Sequence, residues 1–258
     1  RRVLTGEYSR KSQRGRRDSE GGHAGNGCRR PAGAGRHGQS GQALPGPHAG
    51  AFNLSSLLVE LWPGGPRIRQ HQQAQPVSHA SVALQQAALD IFGPDPRRVL
   101  DLGSGCGIVA LMLALRRPLW QVEGLEVQAE LNDLACGNAA LCRVNILFHS
   151  GDMRSFTAFL PYDLIVSNPP WLPLGSGKTS PIQARTLSRF ELLGGLVDVL
   201  ACVKRNLTPA GQALLLYPRS RSGELGKAAD KTFLDIISLF PSSGLQEHSI
   251  CNIRHKGQ

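Results

Sequence analysis

The chain has 258 residues, enough for one large domain or two small ones, and 41% of them are apolar, which suffices for a core. No run approaches the ~20 apolar residues that a membrane helix needs, and the basic N-terminus lacks the apolar stretch of a secretory signal. Six cysteines show neither a C-x-x-C pair nor zinc spacing, so we predict reduced thiols, no metal site and a cytoplasmic protein.

The net charge of +10 is distributed unevenly along the chain. Residues 1–50 hold ten Arg and Lys against three acids, whereas residues 51–258 hold nineteen against sixteen. The first fifty residues are rich in Gly, Ser, Arg and Pro and lack apolar periodicity, so they cannot bury enough surface to offset chain entropy. We predict a disordered basic tail. Because the chain starts at Arg1 without Met, we favour an artefactual extension over an arginine-rich RNA-binding arm.

Residues 51–96 are predicted to be an N-terminal helical segment that precedes the main domain. Within it, the stretch 51–61 is a short amphipathic candidate that ends at the breaker P-G-G-P at 63–66. A Gln-rich connector covers 68–76. The stretch 78–92 has helical periodicity and begins with a serine that is suited to cap a helix.

The remaining residues, 97–258, are predicted to form one domain in which strands and helices alternate. The predicted strands cover 98–102, 121–125, 145–148, 162–167 and 212–217, and the predicted helices cover 107–116, 128–141 and 190–206. This alternation indicates an α/β fold with a doubly wound, mostly parallel sheet, which binds ligands at the carboxyl ends of its strands. The stretch 245–253 is a candidate sixth strand. We expect the antiparallel last strand of such a fold to be missing, because the chain stops at Gln258.

The first of these strands leads into a glycine turn, V-L-D-L-G-S-G-C-G at 99–107. Asp101 precedes Gly103, Gly105 and Gly107, and an apolar helical stretch follows. Glycine lets the backbone turn tightly and approach a ligand, and a helix N-terminus favours polar or anionic groups. The spacing G-x-G-x-G departs from the dinucleotide fingerprint G-x-G-x-x-G and matches the S-adenosylmethionine pattern.

Two further acids follow strand ends. Glu126 lies nineteen residues after the last glycine, where an acid commonly binds ribose hydroxyls. Asp152 follows the apolar run I-L-F, in a position to accept a hydrogen bond from an adenine amino group. The predicted contacts for S-adenosylmethionine are Asp101, Gly103, Gly105, Gly107, Glu126, Asp152 and Asn168.

The strand at 162–167 ends in Asn168-Pro169-Pro170-Trp171. Proline has no N–H and restricts the residue before it, so the double proline forces the chain out of the sheet. An amide beside backbone carbonyls can bind a planar –NH2 group, and an indole can stack on a flat ring. The motif therefore indicates a site for a planar amine, such as a nucleobase amino group, although Asn-Pro is also an ordinary turn signal.

With these motifs the chain resembles a known family. It is similar to class I S-adenosylmethionine-dependent methyltransferases of the N-P-P-aromatic subgroup, and most to the bacterial adenine-N6 methyltransferases of valine tRNA. The matching stretches are R-V-L-D-L-G-S-G-C-G-I-V-A-L-M-L-A-L-R at 98–116, Y-D-L-I-V-S-N-P-P-W at 162–171 and L-T-P-A-G-Q-A-L-L-L-Y-P at 207–218. The chain departs from the family at Trp171, where Tyr or Phe is usual, and it matches only loosely over 68–84. The resemblance implies a Rossmann-like fold and an RNA substrate, with tRNA first.

The chemistry expected of this motif is positioning rather than metal or strong-base catalysis. The Asn168 side-chain oxygen and the Pro169 carbonyl would accept the two amine hydrogens and stabilise the developing positive charge. Trp171 would stack on the base, a contact that contributes about 1–3 kcal/mol. Three cations downstream are candidate phosphate contacts, with a solvated loop as the alternative: Lys178, Arg185 and Arg189.

Three other functions fit the same sequence. A glutamine carboxamide is also a planar amine, so a glutamine-N5 methyltransferase that acts on release factors is the first alternative. Guanine-N2 methylation of ribosomal RNA is the second, and a non-catalytic binding module or inactive fragment is the third. Trp171 and the downstream arginines favour a nucleobase. The sequence does not indicate the oligomeric state.

Overall fold

The structure, a computed structural model, describes residues 56–71, 77–168, 195–241 and 247–257. These residues form nine β-strands and five α-helices. The predicted basic tail, residues 1–50, lies outside them, so its disorder stays a prediction.

The strands and helices alternate along most of the described chain. The strands are β1 Ser56–Glu60, β2 Arg67–His71, β3 Arg98–Leu102, β4 Gln121–Glu126, β5 Leu147–Ser150, β6 Tyr162–Ser167, β7 Leu207–Pro218, β8 Leu234–Pro241 and β9 His248–His255. The helices are α1 His79–Ile91, α2 Ile108–Arg116, α3 Ala129–Cys142, α4 Leu196–Asn206 and α5 Ser222–Thr232.

Seven of the strands form one sheet in the order β5-β4-β3-β6-β7-β9-β8. The neighbours from β5 to β7 run parallel, and β9 runs antiparallel to both β7 and β8. The central strands β3 and β6 are buried almost throughout, which is why both read as nearly continuous apolar runs. The predicted doubly wound, mostly parallel sheet is confirmed. The order reverses between β3 and β6, so the carboxyl ends of those strands mark the expected ligand crevice.

The expectation that the last strand is missing is wrong. The stretch predicted as a sixth strand belongs to β9, the antiparallel strand, which lies between β7 and β8. The true preceding strand, β8, has the sequence L-D-I-I-S-L-F-P, and we did not predict it. A register shift between Ile236 and Ser238 interrupts its alternation, and this shift explains the weak period-two signal.

An antiparallel hairpin, β1–β2, replaces the helical start predicted for residues 51–96. Leu58 pairs with Arg69, and Gly64 supplies the left-handed residue of the turn at φ 71°. The amphipathic candidate at 51–61 and the connector at 68–76 are therefore wrong where the structure describes them. A short apolar run such as S-L-L-V-E does not distinguish a helix from a strand by periodicity.

The helix predicted after this hairpin is confirmed as α1. Its N-cap is Ser78, whose side chain accepts a hydrogen bond from the Ser81 N–H at 3.4 Å. The sheet is covered on both faces. One apolar core contains residues of α1, α2, α3 and the hairpin, and a second contains residues of α4 and α5. The three-layer arrangement keeps the carboxyl ends of the parallel strands accessible at one edge.

A polar cluster around Glu123 joins four strands of the sheet. The Glu123 carboxylate lies 2.5 Å from Arg98 Nη2 and 2.7 Å from His149 Nε2, and it accepts a hydrogen bond from the Tyr162 hydroxyl at 2.9 Å. Burial opposes ionisation, yet these hydrogen bonds lower the pKa of Glu123 to about 2. The cluster is therefore a structural feature that depends on an ionised carboxylate.

The structure also tests the expectations for the cysteines and for membrane-spanning helices. Cys106, Cys142, Cys202 and Cys251 are free thiols, but Cys136 takes part in a disulfide bond, so the prediction of reduced thiols throughout is wrong there. Across the described residues no helix is long and apolar enough to cross a membrane. In the same residues no group of three or more His, Cys, Asp or Glu side chains is placed to hold a metal ion, and the absence of a metal stays a prediction.

Candidate active site

The glycine turn connects β3 to α2 and has the backbone that its sequence predicts. Gly103, Gly105 and Gly107 have φ values of 76°, 55° and 85°, in the left-handed region that favours glycine. A Cβ atom at Gly103 or Gly105 would meet nothing within 4 Å, so both face open space. The Gly103 and Ser104 N–H groups donate to the Leu125 carbonyl at 2.9 and 3.0 Å. The turn is thus anchored to the end of β4, with its outer side open to a ligand.

Asp101 lies beneath this turn, at the end of β3. Its side chain is buried, and Oδ2 accepts a hydrogen bond from the Ala110 N–H, in the first turn of α2, at 3.0 Å. Burial raises the pKa of Asp101 to about 7, the Ala110 bond opposes the shift, and nearby Glu126 adds to it. Asp101 therefore holds the start of α2 against β3, and direct contact with a cofactor stays a prediction.

Glu126, at the end of β4, binds the glycine turn directly. Oε2 accepts a hydrogen bond from the Gly105 N–H at 2.8 Å, and Oε1 accepts one from the Gln128 N–H at 3.0 Å. Burial raises the pKa of Glu126, and these backbone hydrogen bonds oppose the shift. The carboxylate is thus fixed beside the glycine turn, where its oxygens can accept hydrogen bonds from hydroxyl donors such as a ribose diol. The position and chemistry of Glu126 fit the predicted role.

Asp152 follows β5 at the same edge of the sheet. The Gly151 N–H donates to the Glu126 carbonyl at 3.0 Å, which brings the end of β5 beside Glu126. The Asp152 carboxylate also forms an ion pair with Arg154, with Nε 2.9 Å from Oδ2, and hydrogen bonds from Arg154 lower the pKa of Asp152. Sequence reasoning missed Arg154. A bound adenine would therefore share Asp152 with this arginine.

Asn168 is half-buried and directly follows β6. The preceding residue, Ser167, donates its hydroxyl to the Leu102 carbonyl at 2.7 Å, which ties the end of β6 to the end of β3. Asn168 thus emerges beside the strand that carries the glycine turn. The other predicted site residues lie outside the described residues: Pro169, Trp171, Lys178, Arg185 and Arg189.

A small cleft opens at this edge, between the ends of β3, β4 and β5. Its lining consists of Leu102, Gly103, Leu125, Glu126, Val127, Gly151 and Met153. The predicted glycine and acid are among them, but Val127 and Met153 are not residues that sequence reasoning identified. Each comes directly after a predicted acid, Val127 after Glu126 and Met153 after Asp152, and this adjacency was the available signal. They give the cleft an apolar wall suited to a flat ring.

Comparison with known families agrees with this geometry. Residues 79–184 match the family model described as "Methyltransferase small domain". This part of the chain is therefore similar to methyltransferase small domains. The resemblance predicted from the sequence is confirmed.

The chain is also similar to several curated proteins. The tRNA1(Val) (adenine(37)-N6)-methyltransferase of Porphyromonas gingivalis is 35% identical over 146 residues, which are 54% of this chain and 56% of that protein. The enzyme of the same name from Aeromonas hydrophila is 39% identical over 136 residues, 50% of this chain and 55% of that protein. A release factor glutamine methyltransferase from Xylella fastidiosa is 33% identical over 124 residues, 48% of this chain and 44% of that protein. The chain thus matches about half the length of these relatives.

Solved structures share the fold. A Thermus thermophilus 16S rRNA guanine-N2 methyltransferase, in complex with AdoMet and guanosine, has a TM-score of 0.55 at 19% identity, over 78% of this chain and 50% of that one. A glycopeptide N-methyltransferase complexed with S-adenosyl-L-methionine has a TM-score of 0.52 at 14% identity, over 69% of this chain and 94% of that one. The described residues therefore share the Rossmann-like α/β fold of these two structures.

Proposed function

We propose that this chain is an S-adenosylmethionine-dependent N-methyltransferase that modifies adenine N6 in a structured RNA, with tRNA as the first candidate. The proposal rests mainly on one observation. The Glu126 carboxylate is bound to the Gly105 N–H at the edge of the sheet where Asn168 emerges. This arrangement supports a binding site for a nucleoside cofactor next to an amide suited to a planar amine. The relatives named as tRNA adenine-N6 methyltransferases support the choice of substrate.

The residues present fit the cofactor. Open space at Gly103 and Gly105 lets a ligand approach the backbone, and Glu126 holds a carboxylate beside the turn that would accept hydrogen bonds from ribose hydroxyls. Val127 and Met153 provide apolar surface for the adenine ring. When bound, S-adenosylmethionine would supply a methyl group that its sulfonium already activates.

In this proposal the protein's own task is to orient the target amine. The adenine amino group is a poor nucleophile because its lone pair is delocalised into the ring. Asn168 would accept a hydrogen bond from this amine and so favour the pyramidal form that can attack. Pro169 and Trp171 would provide the second acceptor and the stacking face. Lys178, Arg185 and Arg189 are proposed phosphate contacts in the loop that follows.

The glutamine alternative keeps one specific support, the relative named as a release factor glutamine methyltransferase. The guanine-N2 alternative has only fold similarity behind it, since the solved rRNA enzyme is 19% identical. We propose a cytoplasmic location as well, because transfer RNA is the proposed partner.

One assay separates these substrates. The protein is incubated with S-adenosylmethionine and, in parallel, with unmodified tRNA, ribosomal RNA or a release-factor peptide that contains the glutamine. Mass spectrometry of the nucleosides and of the peptide then identifies the product. N6-methyladenosine in the tRNA sample is the expected result. A methylated peptide or N2-methylguanosine without N6-methyladenosine would replace the adenine proposal by the corresponding alternative.

A further inference from the structure

Asn138, on α3, connects two parts of the molecule that are far apart in sequence. Its side chain is fully buried, at 0% exposure. Oδ1 accepts a hydrogen bond from the Arg69 N–H at 2.7 Å, and Nδ2 donates to the Arg69 carbonyl at 2.9 Å. Nδ2 also donates to the carbonyl of Cys106, within the glycine turn, at 3.0 Å. One carboxamide therefore joins the β1–β2 hairpin, α3 and the glycine turn.

The Asn138 amide pairs with the main chain of Arg69 as a neighbouring strand would, because it bonds both the N–H and the carbonyl. Both main-chain groups of Arg69 point to the Asn138 amide, on the side of β2 away from β1. The Leu58–Arg69 pair opposite is consequently one in which the two strands exchange no hydrogen bond. Asn138 thus satisfies main-chain groups of an edge strand that β1 cannot reach.

The glycine turn is also packed tightly against α3. A Cβ atom at Gly107 would lie 3.2 Å from Ala135 Cβ and 2.9 Å from Phe148 Cζ. Ala135 is one helical turn before Asn138 on α3, so steric contact and the hydrogen bond act on the same turn. A shift of α3 or of the hairpin would be transmitted to the carbonyl of Cys106.

We propose that Asn138 is a positioning residue that holds the glycine turn in register with the β1–β2 hairpin, so that affinity for S-adenosylmethionine depends on how the hairpin is seated. The inference rests on the proposed function for its ligand. Asn138 acts through the turn, and the ligand is bound by the turn and by Glu126.

The first test compares two asparagines of α3. Asn138→Ala removes all three hydrogen bonds. Asn132→Ala is the matched control, because Asn132 is also buried on α3 and its Oδ1 has no hydrogen-bond partner among the described residues. Isothermal titration with S-adenosylmethionine should show about tenfold weaker binding for Asn138→Ala, because the cost of leaving the buried carbonyl of Cys106 unpaired falls on the turn that binds the ligand. The affinity of Asn132→Ala for S-adenosylmethionine should lie within about twofold of the wild-type affinity. The titrations are compared at temperatures where each protein is fully folded.

The second test leaves Asn138 in place and changes only the hairpin. Arg69→Pro removes the N–H that donates a hydrogen bond to Asn138 Oδ1. Because the Arg69 side chain is exposed, its loss removes no core packing. Proline is tolerated at an edge position whose N–H does not serve the strand ladder. Leu58→Pro is the control, because Leu58 pairs with Arg69 on the other strand of the hairpin. The Leu58 N–H that this variant removes is directed away from β2. Weaker cofactor binding in Arg69→Pro than in Leu58→Pro is expected.

Amide hydrogen exchange gives a readout that needs no cofactor. The Gly105 and Gly107 N–H groups are hydrogen-bonded, to Glu126 and to the Ser104 carbonyl, and should exchange faster in Asn138→Ala and Arg69→Pro than in the two controls. If wild type does not bind S-adenosylmethionine, the proposed function fails, and exchange still decides the coupling. Equal exchange and equal affinity in each variant and its control would overturn the inference. If Asn138→Ala does not fold, the comparison of Arg69→Pro with Leu58→Pro decides whether the inference holds.

Discussion

The structure makes a quantitative distinction between two glycines of the same turn. Gly105 and Gly107 both have left-handed backbone, at φ 55° and 85°, so alanine at either position adopts a conformation that costs about 1–2 kcal/mol. They differ in their surroundings. A Cβ at Gly105 meets nothing within 4 Å, whereas one at Gly107 lies 2.9 Å from Phe148 Cζ and 3.2 Å from Ala135 Cβ.

The steric contact at Gly107 has little room to relax. The Phe148 ring is 1% exposed, and Ala135 is part of α3 and has 0% exposure. Inserting a methyl group into such packing costs about 1–3 kcal/mol beyond the backbone strain. We therefore expect Gly107→Ala to lower the free energy of unfolding by about 2–5 kcal/mol, and Gly105→Ala by about 1–2 kcal/mol.

Denaturant unfolding measures both values, with fluorescence and circular dichroism compared to check two-state behaviour. Cofactor titration provides the complementary measurement. Gly105→Ala should weaken S-adenosylmethionine binding strongly despite its small effect on stability, because its Cβ enters the space where the ligand approaches. Equal losses of stability in the two variants would refute the assignment of the buried and open sides of the turn.

Three further predictions concern carboxylates and the amide. Glu126→Gln should weaken S-adenosylmethionine binding by an order of magnitude or more in isothermal titration, because the amide nitrogen cannot accept from hydroxyl donors; unchanged affinity would remove the ribose role. Asn168→Ala should lower methyl transfer about 10²-fold or more while leaving cofactor affinity nearly intact, and more than about a tenth of wild-type turnover would contradict its role. The lowered pKa of Glu123 contributes stability that is present above pH 4.5 and is lost as the pH falls toward about 2. Acid unfolding of Glu123→Gln should therefore lack most of the pH dependence of wild type in that window, and an unchanged profile would show that the cluster is not the acid-sensitive element.

The sequence was sufficient for the part of the molecule where local and global signals agree. The strand before Gly103 is apolar because it is buried on both faces, and the glycines are required by the left-handed backbone, so strand, turn and helix could be predicted together. Glu126 was predictable from its position at a strand end. The contact between Glu126 and Gly105 is a tertiary consequence of the parallel pairing of β3 with β4.

Other features depend on contacts that no local pattern encodes. The hairpin was missed because its apolar residues are few, and Leu57 and Leu58 are about half exposed, at 53% and 52%. Asn138 is one amide in an ordinary helical stretch, and its importance comes from a partner 69 residues earlier. Arg154 lies two residues after Asp152, but the sequence alone does not show that the two side chains pair.

The directions of the pKa shifts separate the acids of the sheet into two groups. Glu123 has three hydrogen-bonding partners, and its pKa is lowered, so the fold is more stable when that carboxylate is ionised. Asp101 and Glu126 have raised pKa values because burial outweighs the backbone N–H groups that bind them. For Asp101, with a pKa of about 7, stability decreases as the pH rises through the interval between its ordinary value and 7. Two acids whose ionisation is disfavoured by burial thus lie side by side under the glycine turn. Since hydroxyl donors from a bound ribose would add hydrogen bonds to the ionised form of Glu126, the perturbed pair favours a ligand-binding role for this edge over a purely structural one.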